Sequence, residues 1–101
     1  MRIIELDGRR WRTALDFYQA LLPALGAPGW HGESIDALID SMVWGEINAV
    51  EALYVVRIFN VEGLAQEVRD HIELASRAVE EGRADFRARK GYDVDVRIEI
   101  A

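Results

Sequence analysis

Leu53-Tyr54-Val55-Val56-Arg57-Ile58-Phe59 is a nearly continuous apolar run broken only by Arg57. A strand with one wet face alternates apolar and polar residues, so a run this unbroken predicts a strand buried on both faces, as in a parallel sheet. On its N-terminal side, Ile3, Ile4 and Leu6 make a short β-branched-rich run closed by the turn signal Asp7-Gly8. On its C-terminal side, Val94-Asp95-Val96-Arg97-Ile98-Glu99-Ile100 alternates strictly and predicts a half-exposed edge strand. Helical patterns separate the three. The fold class expected is therefore α/β, a small three-stranded parallel sheet packed with helices.

The helices follow from apolar spacing. Thr13 is placed to cap the first, with Asp16 a favourable acid in its first turn. Leu15, Tyr18, Leu22 and Leu25 follow helical spacing, and Ala14 and Leu21 widen the stripe. Pro23 lacks a backbone donor and is expected to kink or end this helix near Leu22, unless a fresh turn carries on to Leu25. Ser34 is the expected N-cap of a second helix, in which Ile35, Leu38, Ile39 and Met42 form one apolar face and Gly45 is placed to end it. Asn60 is in position to cap a third, whose apolar side runs Leu64, Val68, Ile72, Ala75 and Val79, with Gly82 at its end or at a break. The mixed-charge stretch 83–92 either extends that helix or forms a loop.

Composition narrows the function. The 101 residues suit one domain, and with 50% hydrophobic residues they suffice for one modest core. Asp and Glu number 18 against 12 Lys and Arg, a formal net charge of -6. Such a chain repels phosphate backbones at long range, so no direct nucleic-acid binding is expected, and a basic protein partner or a cation is favoured. Cysteine is absent, which excludes disulfides, thiolate metal sites and a cysteine nucleophile. The N-terminal run holds Glu5 and is too short for a signal peptide, and no stretch approaches the ~20 apolar residues of a membrane helix. The expectation is a soluble, cytoplasmic protein with no cofactor and no metal, monomeric when free.

The second helix carries the chemistry. Asp36 and Asp40 are one turn apart, roughly 6 Å between Cβ atoms, and like charges so placed cost a few tenths of a kcal/mol in an isolated helix. Asp36 gains from the helix dipole, but Asp40 lies too far along to gain much. By spacing alone this is an ordinary solvated face. The surrounding residues change that reading: Trp30, His31, Gly32 and Glu33 precede the helix and Trp44 follows it, pairing aromatics with charges as interface anchors do.

The stretch Trp30-His31-Gly32-Glu33-Ser34-Ile35-Asp36-Ala37-Leu38-Ile39-Asp40, ending in Met42-Val43-Trp44-Gly45, resembles the signature of the barstar-type ribonuclease inhibitors. Those proteins show an aromatic pair, Gly, Glu, a small polar residue, an aliphatic, then Asp-Ala-Leu and a second Asp one turn on. The order of strands and helices agrees more loosely along the whole chain, implying a single barstar-like domain over residues 1–101. The resemblance implies an inhibitor, or immunity protein, whose loop and acidic helix plug the active site of a secreted, basic ribonuclease. Asp40 would be the central anchor and Asp36 its neighbour, with Trp30 and His31 covering the site from the loop side and Trp44 at the far end. Two departures stand out. Arg77 occupies the place, counted back from Gly82, where the family puts a further acid, and the segment 83–93 is longer and more basic than the family's short turn.

Three other readings compete. The same scaffold could serve a partner that is not a ribonuclease, since fold does not fix function. Acid/base chemistry could use His31 with Asp36 or Glu33, or His71 with Glu73, and a metal could take His31, Glu33 and Asp40, although no recurrent ligand motif is present. The alternating last strand could pair at its edge in a self-associating domain.

Overall fold

Three strands, β1 (Arg2–Asp7), β2 (Tyr54–Phe59) and β3 (Val96–Ile100), lie parallel in the order β1-β2-β3. The computed structural model describes residues 2–26, 34–44 and 54–101, with residues 40 and 41 described by backbone alone. The expectations placed on Gly45 and Leu53 lie outside the described residues. The apolar run takes the central strand, and Tyr54, Val55, Val56 and Ile58 are all buried.

Register sorts the two faces of the sheet. Ile4, Val56 and Ile98 pair side by side, as do Tyr54 and Val96, and these residues belong to one core cluster with the helices. The opposite face carries the row Glu5, Arg57, Glu99, in which acid, base and acid alternate across the strands. Opposite charges on directly paired positions favour this register over a slip that would bring like charges together.

Helix α1 (Ala14–Ala24) starts as expected. The Asp16 carboxylate accepts the backbone N–H of Arg12 at 2.7 Å and of Thr13 at 3.1 Å. Both donors would otherwise be orphaned at the helix start. The helix runs past Pro23 by one residue, because a missing donor so near the end removes only one intrahelical bond. Its buried face differs from the expected stripe. Phe17, Tyr18, Leu21, Leu22 and Leu25 are buried, whereas Leu15 is 47% exposed. The direction shared by Phe17, Leu21 and Leu25 faces the core, and Leu15, in the first turn, sits roughly 120° of helix rotation away from it.

Helix α2 (Ile35–Ile39) passes directly into a π-helical turn over Asp40–Trp44. Helix α3 (Gln66–Lys90) is 25 residues long and returns from the C-terminal end of β2 to the start of β3. Asn60 does not cap it, contrary to the sequence reading. This residue has a positive φ of 60°, and its side-chain amide donates to the Asp7 carboxylate at 3.0 Å, tying the β2 exit to the β1 exit. The segment from Val61 to Ala65 intervenes before the helix begins. Gly82 neither ends nor breaks α3, and the stretch 83–90 is helix. The end comes at Gly91, whose φ of 79° is the left-handed conformation glycine adopts at low cost, with its N–H on Arg87 O at 3.0 Å.

Val68, Ile72, Ala75, Val79 and Phe86 are the buried side of α3. Each large apolar side chain here contributes about 1.5–3 kcal/mol by leaving water. Beside them, Ser76 donates to the carbonyl of Ile98 at 2.7 Å, so α3 occupies one hydrogen-bonding group of the β3 edge strand. Among the described residues no helix is long and apolar enough to cross a membrane.

Candidate partner-binding face

Ser34 begins the face. Its hydroxyl accepts the N–H of Ala37 at 3.2 Å and its carbonyl accepts that of Leu38 at 3.0 Å, the pattern of an N-cap. Leu38, Met42 and Val43 are buried, and Ile35, Ile39 and Trp44 pack partly against the core. Val43 was absent from the face read from sequence. A π turn advances each residue by a smaller angle than an α turn, which brings Met42 and Val43 inward together. Asp36 is exposed in the first turn. Asp40 opens the π turn. Trp30, His31, Gly32 and Glu33 lie outside the described residues.

What seats this helix is the C-terminal half of α3. A Cβ on Gly82 would stand 2.9 Å from Ile39 Cγ2 and 3.2 Å from Val43 Cγ2, so the glycine permits a closer approach than any other residue could. One turn on, Phe86 meets the Trp44 ring edge-on, with centroids 4.9 Å apart, and Tyr92 meets Phe86 at 5.3 Å. The Lys90 ammonium lies 6.0 Å from the Trp44 centroid. Gly82, Phe86 and Lys90 recur at four-residue spacing on α3. That spacing was readable in the sequence, but only with Trp44 as its target does it identify a brace.

The basic segment after Gly82 is largely neutralised from within. Arg83 pairs with Glu80 at 3.1 Å, with Asp93 at 2.8 Å and with Asp95 at 3.7 Å. Arg87 reaches Asp93 at 3.5 Å and Arg89 reaches Asp85 at 3.1 Å. The Arg83 hydrogen bond holds the Asp93 carboxyl below its usual range, while the same bond raises the Arg83 guanidinium. The segment therefore presents far less positive charge than its sequence suggests.

Arg77 is exposed and lines a shallow groove of about 380 Å³ between α3 and β3, together with Ile72, Glu73, Ser76, Ile98, Glu99 and Ile100. The acid/base pairing of His71 with Glu73 does not form. His71 Nε2 meets the Tyr18 hydroxyl at 2.8 Å on the α1 side, whereas Glu73 belongs to the groove on the β3 side. Among the described residues no group of acids and histidines is arranged to hold a metal ion.

A three-stranded parallel sheet with helices, from which a capped helix presents an acid on its outer side, defines a small α/β protein. The chain matches the family model Barstar (barnase inhibitor) over residues 1–99, and it belongs to that family. Comparison with curated proteins gives no match.

Proposed function

We propose that this chain is a protein inhibitor of a basic ribonuclease, an immunity protein that blocks the nuclease active site with its acidic helix and the aromatic loop before it. The observation that carries the reading is family membership over nearly the whole chain, joined to an exposed Asp36 on a helix braced by Gly82 and Phe86. A cleft built for phosphate rewards carboxylates held rigidly, and opposite fields speed encounter, a rule drawn in part from this family's own namesake complex. Asp40 is the central anchor, Asp36 the adjacent charge contact, and Glu33 adds a third acid at the helix start. Trp30, His31 and Gly32 form the covering loop, and Trp44 closes the far end. The protein is not an enzyme, acts in the cytoplasm as an antitoxin, and is a monomer when free.

The test is to mix the purified chain with barnase and follow RNA cleavage. Loss of cleavage as the inhibitor reaches one equivalent supports the reading, and cleavage unchanged at a large excess contradicts it.

One observation favours a second reading, a barstar-scaffold module for a partner that is not a ribonuclease. Where the resemblance implies a short turn into the last strand, α3 runs on past Gly82 to Lys90 and ends at Gly91. A partner recovered with the chain that lacks ribonuclease activity would support this alternative.

A further inference from the structure

The segment 83–93 departs from the family pattern, and the acidic face as proposed does not use it. Its residues nevertheless adjoin that face. Phe86 is shared between Trp44 and Tyr92, with centroids at 4.9 Å and 5.3 Å, so the three rings run in one row outward from the end of the acidic helix. The outermost ring is open to solvent: Tyr92 is 61% exposed, and its ring contact is with Phe86. An exposed aromatic ring is suited to cations, because its negative face attracts ammonium and guanidinium groups.

A cation already lies near the inner ring of this row. Lys90 Nζ is 6.0 Å from the Trp44 centroid. The three arginines of the segment each have an acid partner, while Lys90 has no ion pair among the described residues. Lys90 therefore occupies from within the chain the kind of position that a cationic side chain of a partner would take.

We infer that Tyr92 extends the inhibitory face, receiving an arginine or lysine from the rim of the same basic nuclease, and that Lys90 screens this extension. The inference rests on the inhibitor reading and adds to it a second cation site beyond the acidic helix. Helix α3 needs its last turn and Gly91 to carry Tyr92 to this place, which gives the added length a use.

The experiment measures inhibition of barnase by the full chain and by Tyr92→Ala, Tyr92→Phe, Lys90→Gln and Asp36→Ala, with thermal melting of each. Tyr92→Ala is expected to weaken inhibition about threefold to tenfold, the range of a partly exposed cation–π contact, while Tyr92→Phe stays near wild type. Lys90→Gln is expected to strengthen inhibition by about twofold or more. If Asp36→Ala weakens inhibition but Tyr92→Ala stays within twofold of wild type, the extension is wrong and the acidic face stands. Weaker inhibition by Lys90→Gln overturns the screening role. A wild-type chain that leaves barnase active overturns the inhibitor reading and this inference with it.

Discussion

Gly82 on α3 and Ile39 on α2 are in such close approach that the missing Cβ of the glycine would lie 2.9 Å from Ile39 Cγ2. The Ile39 methyl is attached to a branched Cβ and has little freedom to move aside. The contact therefore sets how near the acid-bearing helix sits to the rest of the protein.

Gly82→Ala tests this. In an exposed helix interior the change would stabilise by about 1 kcal/mol through helix propensity. Here overpacking costs about 1–3 kcal/mol and outweighs it, so a net loss on the order of 1 kcal/mol is expected in urea denaturation. The same substitution made in an Ile39→Ala background should cost less, because the main obstacle is gone. Equal costs in the two backgrounds would show that the two residues do not press on each other.

Tyr54 yields a prediction of opposite sign. Its ring is buried at the start of β2, and its hydroxyl has no hydrogen-bond partner among the described residues. A buried polar group left unpaired costs free energy, so Tyr54→Phe should leave stability unchanged or raise it by on the order of 1 kcal/mol. Burial also pushes the ionisation of Tyr54 and of Tyr18 to higher pH than that of an ordinary phenol. The unfolded chain then loses its phenolic protons first, so stability is full below about pH 10 and falls as pH rises above it. Thermal melting at pH 8 and at pH 10.5 should show a smaller alkaline loss in Tyr54→Phe than in wild type.

The acid limb depends on other groups. Two backbone N–H donors, from Arg12 first and then Thr13, lower the Asp16 carboxyl below its usual range. Backbone donation from Arg9, followed by the Asn60 amide, lowers Asp7 in the same way. A depressed carboxyl contributes stability above its unfolded pKa and loses it as pH falls through the folded value, so the window lies below about pH 4. Asp16→Asn should lower the melting temperature at pH 7 and flatten the decline between pH 4 and pH 2. A decline as steep as that of wild type would remove Asp16 from the acid response.

The sheet was legible because its signals are local. The unbroken run at Tyr54–Phe59 and the alternation at Val96–Ile100 each state how many faces are buried. The failures share one cause, which is that tertiary neighbours decide what a local signal means. Gly82 reads as a helix end until Ile39 and Val43 are placed against it. Asn60 reads as a cap until Asp7 supplies its side chain with another partner. The segment 83–93 reads as basic until Asp85, Asp93 and Asp95 answer its arginines. Of the candidate site, Asp36 and Trp44 were singled out from spacing and neighbours, whereas the brace of Gly82, Phe86 and Lys90 emerged only with the packing.

The central claim is that two carboxylates on one short helix carry the inhibition. Its most direct test is the dissociation constant for barnase of wild type, Asp36→Ala and Asp40→Ala, each first shown to melt as the wild type does. The account predicts that both variants bind more weakly, Asp40→Ala the more so and by at least about tenfold. Binding by both variants that equals wild type would contradict it.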